Sequence, residues 1–180
     1  MTTVVAIRNK KDIKKIEKLL LTQNYRDFVI FGIGINSGLR ISDILKLNVK
    51  DVKNKNFISI KEQKTGKLKR FPINKKLKNI FDFYTKNKLS EAPLFESRFG
   101  NRLNRIAAYN IIKSTCNKIN PDYHVGTHTL RKTFGYHYYK KYKDIVMLQK
   151  ILNHSTPYVT LRYIGIVQEE IDNTYINFIL

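Results

Sequence analysis

Cationic and polar side chains recur in four separate stretches of this sequence, at positions that a packed core would not require. The first stretch runs from Gly38 to Leu45, with Arg40 and Asp43 three residues apart. Residues at this spacing share one face of a helix, so the Asp43 carboxylate could hold the Arg40 guanidinium in one orientation. On its own, such a pair is more typical of an ordinary ion pair on a helix surface.

The second and third stretches place further cations in a turn and at the start of a helix. Lys64 lies in a predicted hairpin turn, where a lysine is usually solvated. His128 and Arg131 are three residues apart, with Thr127 as the expected N-cap. One turn separates them by ~4.5 Å along the axis, so both point to the same side of an electropositive helix N-terminus. That arrangement suits a phosphate, although a lone His-x-x-Arg pair is a weak signal.

The fourth stretch, Leu152–Pro157, contains His154 at a predicted helix end. A histidine there is ordinarily a capping or packing residue. Tyr163 follows nine residues later, but the sequence has 11 tyrosines and residue type alone selects none of them. Tyr158 and Tyr175 therefore stay open as alternatives.

Hydrophobic periodicity predicts an α+β fold that is mainly helical. A central helix is expected over residues 25–35, because that segment is apolar on nearly every side. Residues 56–62 and 68–73 alternate apolar and polar side chains and are joined by a turn in which Gly66 allows the reversal, which predicts a small antiparallel sheet carrying Lys64. The other expected helices cover residues 10–21, 39–47, 75–88, 104–118, 128–143, 145–152, 159–163 and 169–178.

The chain is strongly basic for a sequence with so many apolar residues. Thirty-four Lys and Arg against 14 Asp and Glu give a net charge of +20, while 42% of the 180 residues are hydrophobic. That apolar content excludes a disordered chain, because burial can offset the chain entropy. The excess charge indicates a polyanionic partner, most often nucleic acid. No stretch reaches the ~18 apolar residues of a spanning helix, which argues against a membrane partner.

Several kinds of cofactor chemistry lack their sequence signals. The single Cys116 excludes an internal disulfide and a cysteine-based metal cluster, and it favours a reducing, cytoplasmic compartment and a buried position for this thiol. No Walker-type glycine-rich loop and no compact cluster of Asp and Glu occur. We therefore expect neither a metal nor another cofactor.

Taken together, the order and spacing of the four stretches resemble the catalytic domain of the tyrosine recombinases, the phage integrase family. Gly38–Asp43 resembles the first arginine box, and Lys64, in its Lys-Thr-Gly-Lys turn, resembles the hairpin lysine. His128–Arg131 is similar to the His-x-x-Arg box and Leu152–Ser155 to the Leu-Gly-His-Ser box, with Tyr163 at the usual interval beyond it. Six matching positions across about 125 residues are far more specific than any single box.

The resemblance implies a site-specific recombinase that cleaves and rejoins duplex DNA through a 3′-phosphotyrosine link, as in DNA integration, without metal or ATP. Tyr163 would be the nucleophile, assisted by His128 as a base or hydrogen-bond partner. Arg40 and Arg131 would hold the phosphate oxygens, and Lys64 would protonate the leaving 5′ oxygen. The implied site residues are Arg40, Lys64, His128, Arg131, His154 and Tyr163, with Asp43 supporting Arg40.

Two departures from the family pattern are expected to matter. Asn153 stands where the family usually has glycine, which would alter the turn before His154, the residue implied to hydrogen-bond the phosphate. Family members also commonly carry an N-terminal core-binding domain, and only about eight residues precede the first predicted helix. We expect residues 1–180 to form a single catalytic domain without that second domain, as a minimal recombinase or an excised domain.

The predicted partner is double-stranded DNA with paired half-sites. Twelve Lys or Arg and two acidic residues lie between Ile44 and Lys78, a basic segment that would follow the phosphate backbone, while the helix over residues 104–118 would read bases. The resemblance implies a homotetramer on DNA and a monomer or weak oligomer when free, with possible accessory DNA-binding proteins. The C-terminal segment, residues 175–180, would either dock on a neighbouring protomer or pack as a core helix. The residues expected to contact DNA are Lys46, Lys67, Lys69, Arg70, Arg102, Arg105 and Lys132.

Two other functions fit parts of the pattern. A type IB topoisomerase uses similar residues to relax supercoiled DNA, but the small size and the Leu-x-His-Ser box favour a recombinase. A non-catalytic DNA-binding regulator derived from a recombinase would have no need of all six catalytic residue types.

Overall fold

The structure of the protein, a computed structural model, describes residues 4–179, apart from the side chains of residues 168–170. Leu180, the end of the predicted C-terminal docking segment, lies outside the described residues. Within them the chain forms helices around one hairpin, which confirms the α+β, mainly helical class. The elements are α1 (Lys10–Gln23), α2 (Tyr25–Ser37), α3 (Ile41–Lys46), a 3₁₀ turn (Val49–Asp51), β1 (Phe57–Lys61), β2 (Leu68–Pro72), α4 (Lys75–Tyr84), α5 (Arg105–Ile119), α6 (Thr129–Tyr142), α7 (Ile145–Leu152), α8 (Pro157–Ile164) and α9 (Val167–Asn177).

The hairpin pairs β1 with β2 in antiparallel register, from Phe57 opposite Pro72 to Lys61 opposite Leu68. Its turn is closed by two backbone hydrogen bonds, from the Glu62 N–H to the Lys67 carbonyl and from the Gly66 N–H to the Glu62 carbonyl, both 2.9 Å long. The inner face of β1 packs on the core through the fully buried Ile58. Side chains alternate between the two faces along a strand, and residue 62 is an even number of positions from Ile58. Glu62 therefore points toward the interior as well.

The α2 helix is the central element, as the apolar segment predicted. Val29, Ile30 and Ile33 are completely buried, and the helix packs against α1, α4 and α6. Gly34 lets α6 approach closely, because a Cβ at this position would lie only 2.5 Å from Leu130 Cδ1. This close packing brings the start of α6 beside the end of α2.

Helix bounds differ from the predictions where local chemistry acts at the ends. The α8 helix starts at Pro157 because Thr156 caps it and proline is favoured in the first turn, so Pro157 begins the helix and does not break it. The α4 helix ends at Tyr84, four residues early. The prediction for Cys116 is confirmed: the thiol is fully buried, and burial raises its pKa to about 12.

The α9 helix leaves its large apolar side chains in solvent. Tyr175 and Ile176 are 81% and 73% exposed, and Ile179 beyond the helix is 87% exposed. The described part of this segment therefore does not pack as a core helix of its own chain. None of the described helices has the length and apolar character needed to cross a membrane.

Candidate active site

Tyr163 lies in the last turn of α8, a helix with well-defined ends. The Thr156 hydroxyl accepts a hydrogen bond from the Val159 N–H at 3.1 Å, and Gly165 ends the helix with a positive φ of 73°. These ends place the Tyr163 hydroxyl 3.1 Å from Nδ1 of His128. The candidate nucleophile and its predicted helper are thus in hydrogen-bond contact.

Burial and charge set the protonation of this pair. Burial raises the pKa of Tyr163 to about 12, an effect that the positive charges of Arg131 and Arg40 partly oppose. The His128 ring is partly open to solvent, yet desolvation and the nearby cations, Arg131 first among them, lower its pKa. At neutral pH the site therefore holds a protonated phenol beside a neutral imidazole, which can accept the phenolic proton.

His154 packs edge-on against the Tyr163 ring, with the ring centroids 4.8 Å apart. Its Nδ1 lies 3.1 Å from the Thr160 hydroxyl, which itself donates to the Thr156 carbonyl at 3.1 Å. Because a hydroxyl has a single proton to give, Thr160 accepts from Nδ1–H and the free Nε2 of a neutral His154 is an acceptor. Desolvation and the charge of Arg131 lower the pKa of His154 to about 4. Nε2 carries no proton in this tautomer, so His154 can donate from Nε2 to a phosphate only after the ring takes up a second proton, which a bound anion would favour.

Arg131 is built into the wall of the site. Its side chain is 2% exposed, and it donates to the Gly38 carbonyl at 2.7 Å and to the Leu152 carbonyl. Burial lowers the pKa of Arg131, and the neighbouring Arg40 acts in the same direction. The guanidinium thus joins the ends of α2 and α7 beneath the site.

The start of α6 differs from its prediction in one respect. The N-cap is His128, not Thr127, and His128 makes no side-chain capping bond. The hydroxyl of Thr129, the first helical residue, accepts from the Gly126 N–H at 3.0 Å and so fixes the preceding loop to the helix without capping it. The His128 ring is consequently free of a capping role and turns to Tyr163.

Arg40 is held by two buried carboxylates. Its Nη1 lies 3.0 Å from Glu62 Oε1 and 3.9 Å from Asp43 Oδ2. The predicted partner Asp43 is therefore the more distant one, and its other oxygen accepts the Gln63 N–H at 2.9 Å. Asp43 thus fixes the hairpin to α3 as well as facing Arg40.

Glu62 is the site residue that the sequence-based prediction missed. It is 2% exposed, and its Oε1 faces Arg131 Nη1 at 3.9 Å as well as Arg40. Burial alone would raise the pKa of Glu62, but hydrogen bonds from Thr65 and Asn153 and the Arg40 charge outweigh it, and the pKa lies below its ordinary value. The alternation that turns Ile58 inward was the available signal, because it turns Glu62 inward too.

Lys64 lies at the mouth of a cleft of about 290 Å³. The same cleft is lined by Arg40, Arg105 and His128, so the hairpin brings Lys64 to the opening where these groups converge. Three of the six predicted catalytic residues, Arg40, Lys64 and His128, line this cleft. The other three adjoin it: Tyr163 contacts His128, His154 packs on Tyr163, and Arg131 faces the Glu62 carboxylate that pairs with Arg40. A buried carboxylate, a deprotonatable phenol and several cations form a site suited to a phosphodiester.

Comparison with known proteins agrees with this geometry. The sequence matches the model of the phage integrase family over residues 9–170. The chain belongs to the phage integrase family. It is 46% identical over 170 residues to the probable integrase/recombinase YoeC of Bacillus subtilis (strain 168), covering 94% of this chain and 93% of that protein. It is 29% identical to tyrosine recombinase XerA of Pyrococcus horikoshii over 84% of this chain, and spans about half of that protein's length (54%).

Solved integrase-family structures share the fold. A crystal structure of XerA recombinase matches with a TM-score of 0.76 and 19% identity, over 96% of this chain and 65% of that one. The catalytic domain of bacteriophage HP1 integrase matches with a TM-score of 0.65 and 23% identity, over 96% and 95% of the two chains. XerH site-specific recombinase bound to a palindromic difH substrate has a TM-score of 0.70 at 19% identity, over 96% and 53%. At these identities the likeness shows the fold.

Five of the seven cations expected to meet DNA in this integrase-family domain are exposed: Lys46, Lys67, Arg70, Arg102 and Arg105. Arg105 lines the cleft at the start of α5. Arg70 lies over the Phe57 ring, with Cζ 3.8 Å from its centroid.

Four of the seven cations bind groups within their own chain, and DNA contact stays a prediction for all seven. Lys67 donates to Asn153 Oδ1 at 3.3 Å. Lys69 points inward and donates to the Ile151 carbonyl at 3.0 Å, and desolvation together with Arg131 lowers its pKa to about 8. Lys132 donates to the Val4 carbonyl at 2.8 Å and lies over the Tyr163 ring. Arg102 donates to the carbonyls of Leu45 and Leu47 and to Asn48, which ties the loop before α5 to the end of α3.

Proposed function

We propose that this chain is a site-specific DNA recombinase that cuts and rejoins duplex DNA through a covalent link to Tyr163. The observation that carries the proposal is the contact of 3.1 Å between the Tyr163 hydroxyl and His128, which itself lines a cleft with Arg40 and Lys64. A partly buried phenol beside a base does not need surrounding cations for the stability of the fold. Cations are needed when a phosphate binds, because they stabilise its negative charge.

In the cleavage step the Tyr163 oxygen attacks phosphorus as the phosphorus bond to the 5′ oxygen breaks. His128 takes the phenolic proton, and Lys64 gives a proton to the departing 5′ oxygen. The products are a 3′-phosphotyrosine and a free 5′-hydroxyl, and attack by another 5′-hydroxyl reverses the step. Because the phosphodiester energy is kept in the tyrosyl link, rejoining needs no ATP.

Arg40 and Arg131 are proposed to stabilise the charge that grows on the non-bridging oxygens. Loss of one such donor typically costs about 3 kcal/mol in the transition state. Glu62 and Asp43 hold Arg40 at its place before DNA arrives, so little reorganisation is required during the reaction. Their negative charges also let two guanidiniums stand close together.

Duplex DNA is the proposed substrate. The net charge of +20 provides sequence-independent attraction to phosphates, concentrated on the basic segment around the Lys64 hairpin. The exposed residues Lys46, Lys67, Arg70 and Arg105 are the proposed backbone contacts, and α5 is the proposed base-reading helix.

The assembly on DNA is part of the proposal. A homotetramer on paired half-sites would use the exposed apolar face of α9, with Tyr175 and Ile176, as a docking element on a neighbouring protomer. The free chain would be a monomer or weak oligomer, and accessory DNA-binding proteins remain a prediction. The DNA-associated, cytoplasmic location stays a prediction as well.

A pool of duplexes tests the proposal without knowledge of the target sequence. Each duplex carries randomised sequence and a nick, so that the short strand released by cleavage diffuses away and the covalent product accumulates. DNA that stays bound to the chain in denaturant is recovered and sequenced. We expect adducts in the presence of a chelator, with the protein on a 3′ phosphate and a 5′-hydroxyl on the released strand. A link to a 5′ phosphate, or no adduct, would contradict the proposal.

Two plasmids carrying the recovered site separate recombination from relaxation. A recombinase exchanges partners and yields joined plasmids. Relaxation of any supercoiled plasmid with no exchange would instead identify a topoisomerase activity.

A further inference from the structure

Asn153, between α7 and His154, has the left-handed backbone that usually favours glycine. Its φ and ψ are 52° and 49°, and it ends α7 as the C-cap. Glycine has the least steric cost in this conformation, and asparagine is among the few other residues that adopt it readily. The backbone alone therefore does not explain a carboxamide here, and its contacts show what the side chain adds.

The carboxamide of Asn153 reaches across to the hairpin that carries Lys64. Its Nδ2 donates to Glu62 Oε2 at 3.2 Å and lies 3.4 Å from Thr65 Oγ1, while its Oδ1 accepts from Lys67 Nζ at 3.3 Å. These three residues flank Lys64 on both sides. One side chain thus binds both arms of the catalytic turn.

Glu62 extends this connection to the arginines. Its Oε2 accepts from Asn153 and also from the Thr65 hydroxyl at 2.8 Å, while its Oε1 faces Arg40 at 3.0 Å. Replacing the Asn153 donor would leave a buried carboxylate oxygen with one partner fewer. The contact therefore ties the turn and the Arg40 side chain to the end of α7.

The turn has few other anchors. Residues 63–67 are exposed, and a Cβ added at Gly66 would meet no atom within 4 Å. Apart from Asn153, the turn is fixed by its two closing backbone hydrogen bonds, by the Thr65 hydroxyl, which bonds Glu62 and Lys67 within the turn, and by the Gln63 N–H donated to Asp43. A solvated turn with so little packing moves easily.

We propose that Asn153 is a positioning residue that holds the Lys64 turn at the scissile phosphate. The proposal rests on the proposed function, because it gives Lys64 the task of protonating the leaving oxygen. Removing the carboxamide would leave the phosphate, Tyr163 and the base in place while lowering the time that Lys64 spends within reach of the 5′ oxygen.

A duplex with sulfur in place of the bridging 5′ oxygen isolates this effect. A thiol has a pKa of about 8.5, so the sulfur leaves as a thiolate and needs no proton from Lys64. On the oxygen substrate, Asn153→Gly is expected to lower the rate of adduct formation by about tenfold. On the sulfur substrate, the same variant is expected to react at close to the wild-type rate. Lys64→Ala is expected to show the same pattern with a larger loss on the oxygen substrate. Equal losses on both substrates, or no loss on either, would overturn the proposal.

Two further variants control for backbone and shape. Asn54 is an exposed residue with the same backbone, at a φ of 57°, in the turn before β1, so Asn54→Gly makes the same backbone change there and is expected to leave both rates unchanged. Asn153→Asp keeps the shape of the side chain but replaces the Nδ2 donor with a carboxylate oxygen, which repels Glu62. This variant is expected to react at least as slowly as Asn153→Gly on the oxygen substrate. A wild-type rate for Asn153→Asp would show that the donor is unnecessary.

Amide hydrogen exchange decides the proposal independently of any activity. Asn153→Gly is expected to speed exchange at the Gln63 and Gly66 amides relative to wild type, and Asn54→Gly is not. Unchanged exchange in Asn153→Gly would overturn the proposal. If wild type forms no adduct on either substrate, the proposed function fails, and the exchange result still reports whether Asn153 holds the turn.

Discussion

The Tyr163 hydroxyl lies 3.1 Å from His128 Nδ1, and at neutral pH the phenol keeps its proton while the imidazole is neutral. Burial keeps the phenol protonated up to a pKa of about 12, whereas desolvation and nearby cations keep the imidazole neutral. In the proposed cleavage step, the Tyr163 oxygen therefore loses its proton to His128 during the reaction, and not beforehand to solvent.

This relationship predicts the pH dependence of cleavage in the acidic range. The pKa of His128 is lowered, so the base is present at pH 7 and is lost only as the pH falls below the ordinary histidine value of 6.5 through that lowered pKa. Single-turnover adduct formation should be level near pH 7 and fall on acidification. His128→Gln should react 10²-fold to 10⁴-fold more slowly, as expected for loss of a general base, and should lose the acidic limb. An unchanged limb in this variant would assign the titration to another group.

Substitution of Arg40 and substitution of Arg131 should affect the stability of the fold differently. Arg40 pairs with the carboxylates of Asp43 and Glu62, whereas Arg131 is buried and donates to the carbonyls of Gly38 and Leu152. Arg40→Ala should lower the cleavage rate by about 10²-fold, the equivalent of roughly 3 kcal/mol. Arg131→Ala leaves two buried carbonyls unsatisfied at every pH and should lower the free energy of unfolding by about 1–3 kcal/mol per group. Arg40→Ala leaves the buried Glu62 carboxylate without its nearest cation, a loss that protonation relieves, so its destabilisation relative to wild type should shrink as the pH falls. Urea denaturation of both variants at neutral and acidic pH measures this difference, and the same pH dependence for both would contradict it.

His154 should make the fold sensitive to acid. Its pKa is about 4 in the folded chain against an ordinary value of 6.5, so the unfolded chain binds this proton first as the pH falls. Stability that is fully present above pH 6.5 should be lost between about 6.5 and 4. His154→Gln should show a shallower loss of Tm across that window, and parallel curves for the two proteins would count against this role of His154.

Much of this molecule follows from local sequence signals. The apolar segment that became α2, the alternation of β1 and β2, and the order of the catalytic boxes are properties of neighbouring residues. They sufficed for the fold class, and the resemblance that rests on the order of the boxes selected six site residues, of which Arg40, Lys64 and His128 line one cleft.

The parts that escaped prediction depend on contacts between distant segments. The i, i+3 spacing favoured Asp43 as the partner of Arg40, but the hairpin brings Glu62 closer, at 3.0 Å against 3.9 Å. Lys69 was expected to contact DNA, but its ammonium donates to the Ile151 carbonyl of α7. Alternation along β1 indicates that Glu62 points inward, but local sequence does not indicate which distant group either side chain meets.

The identity of the nucleophile is tested most directly by two tyrosine variants on the trapping substrate recovered from the randomised pool. Tyr163 is partly buried against both histidines, while Tyr158, on the same helix, is 62% exposed. We predict that Tyr163→Phe abolishes the covalent protein–DNA adduct and that Tyr158→Phe retains it at the wild-type level. An adduct that survives in Tyr163→Phe would contradict the account.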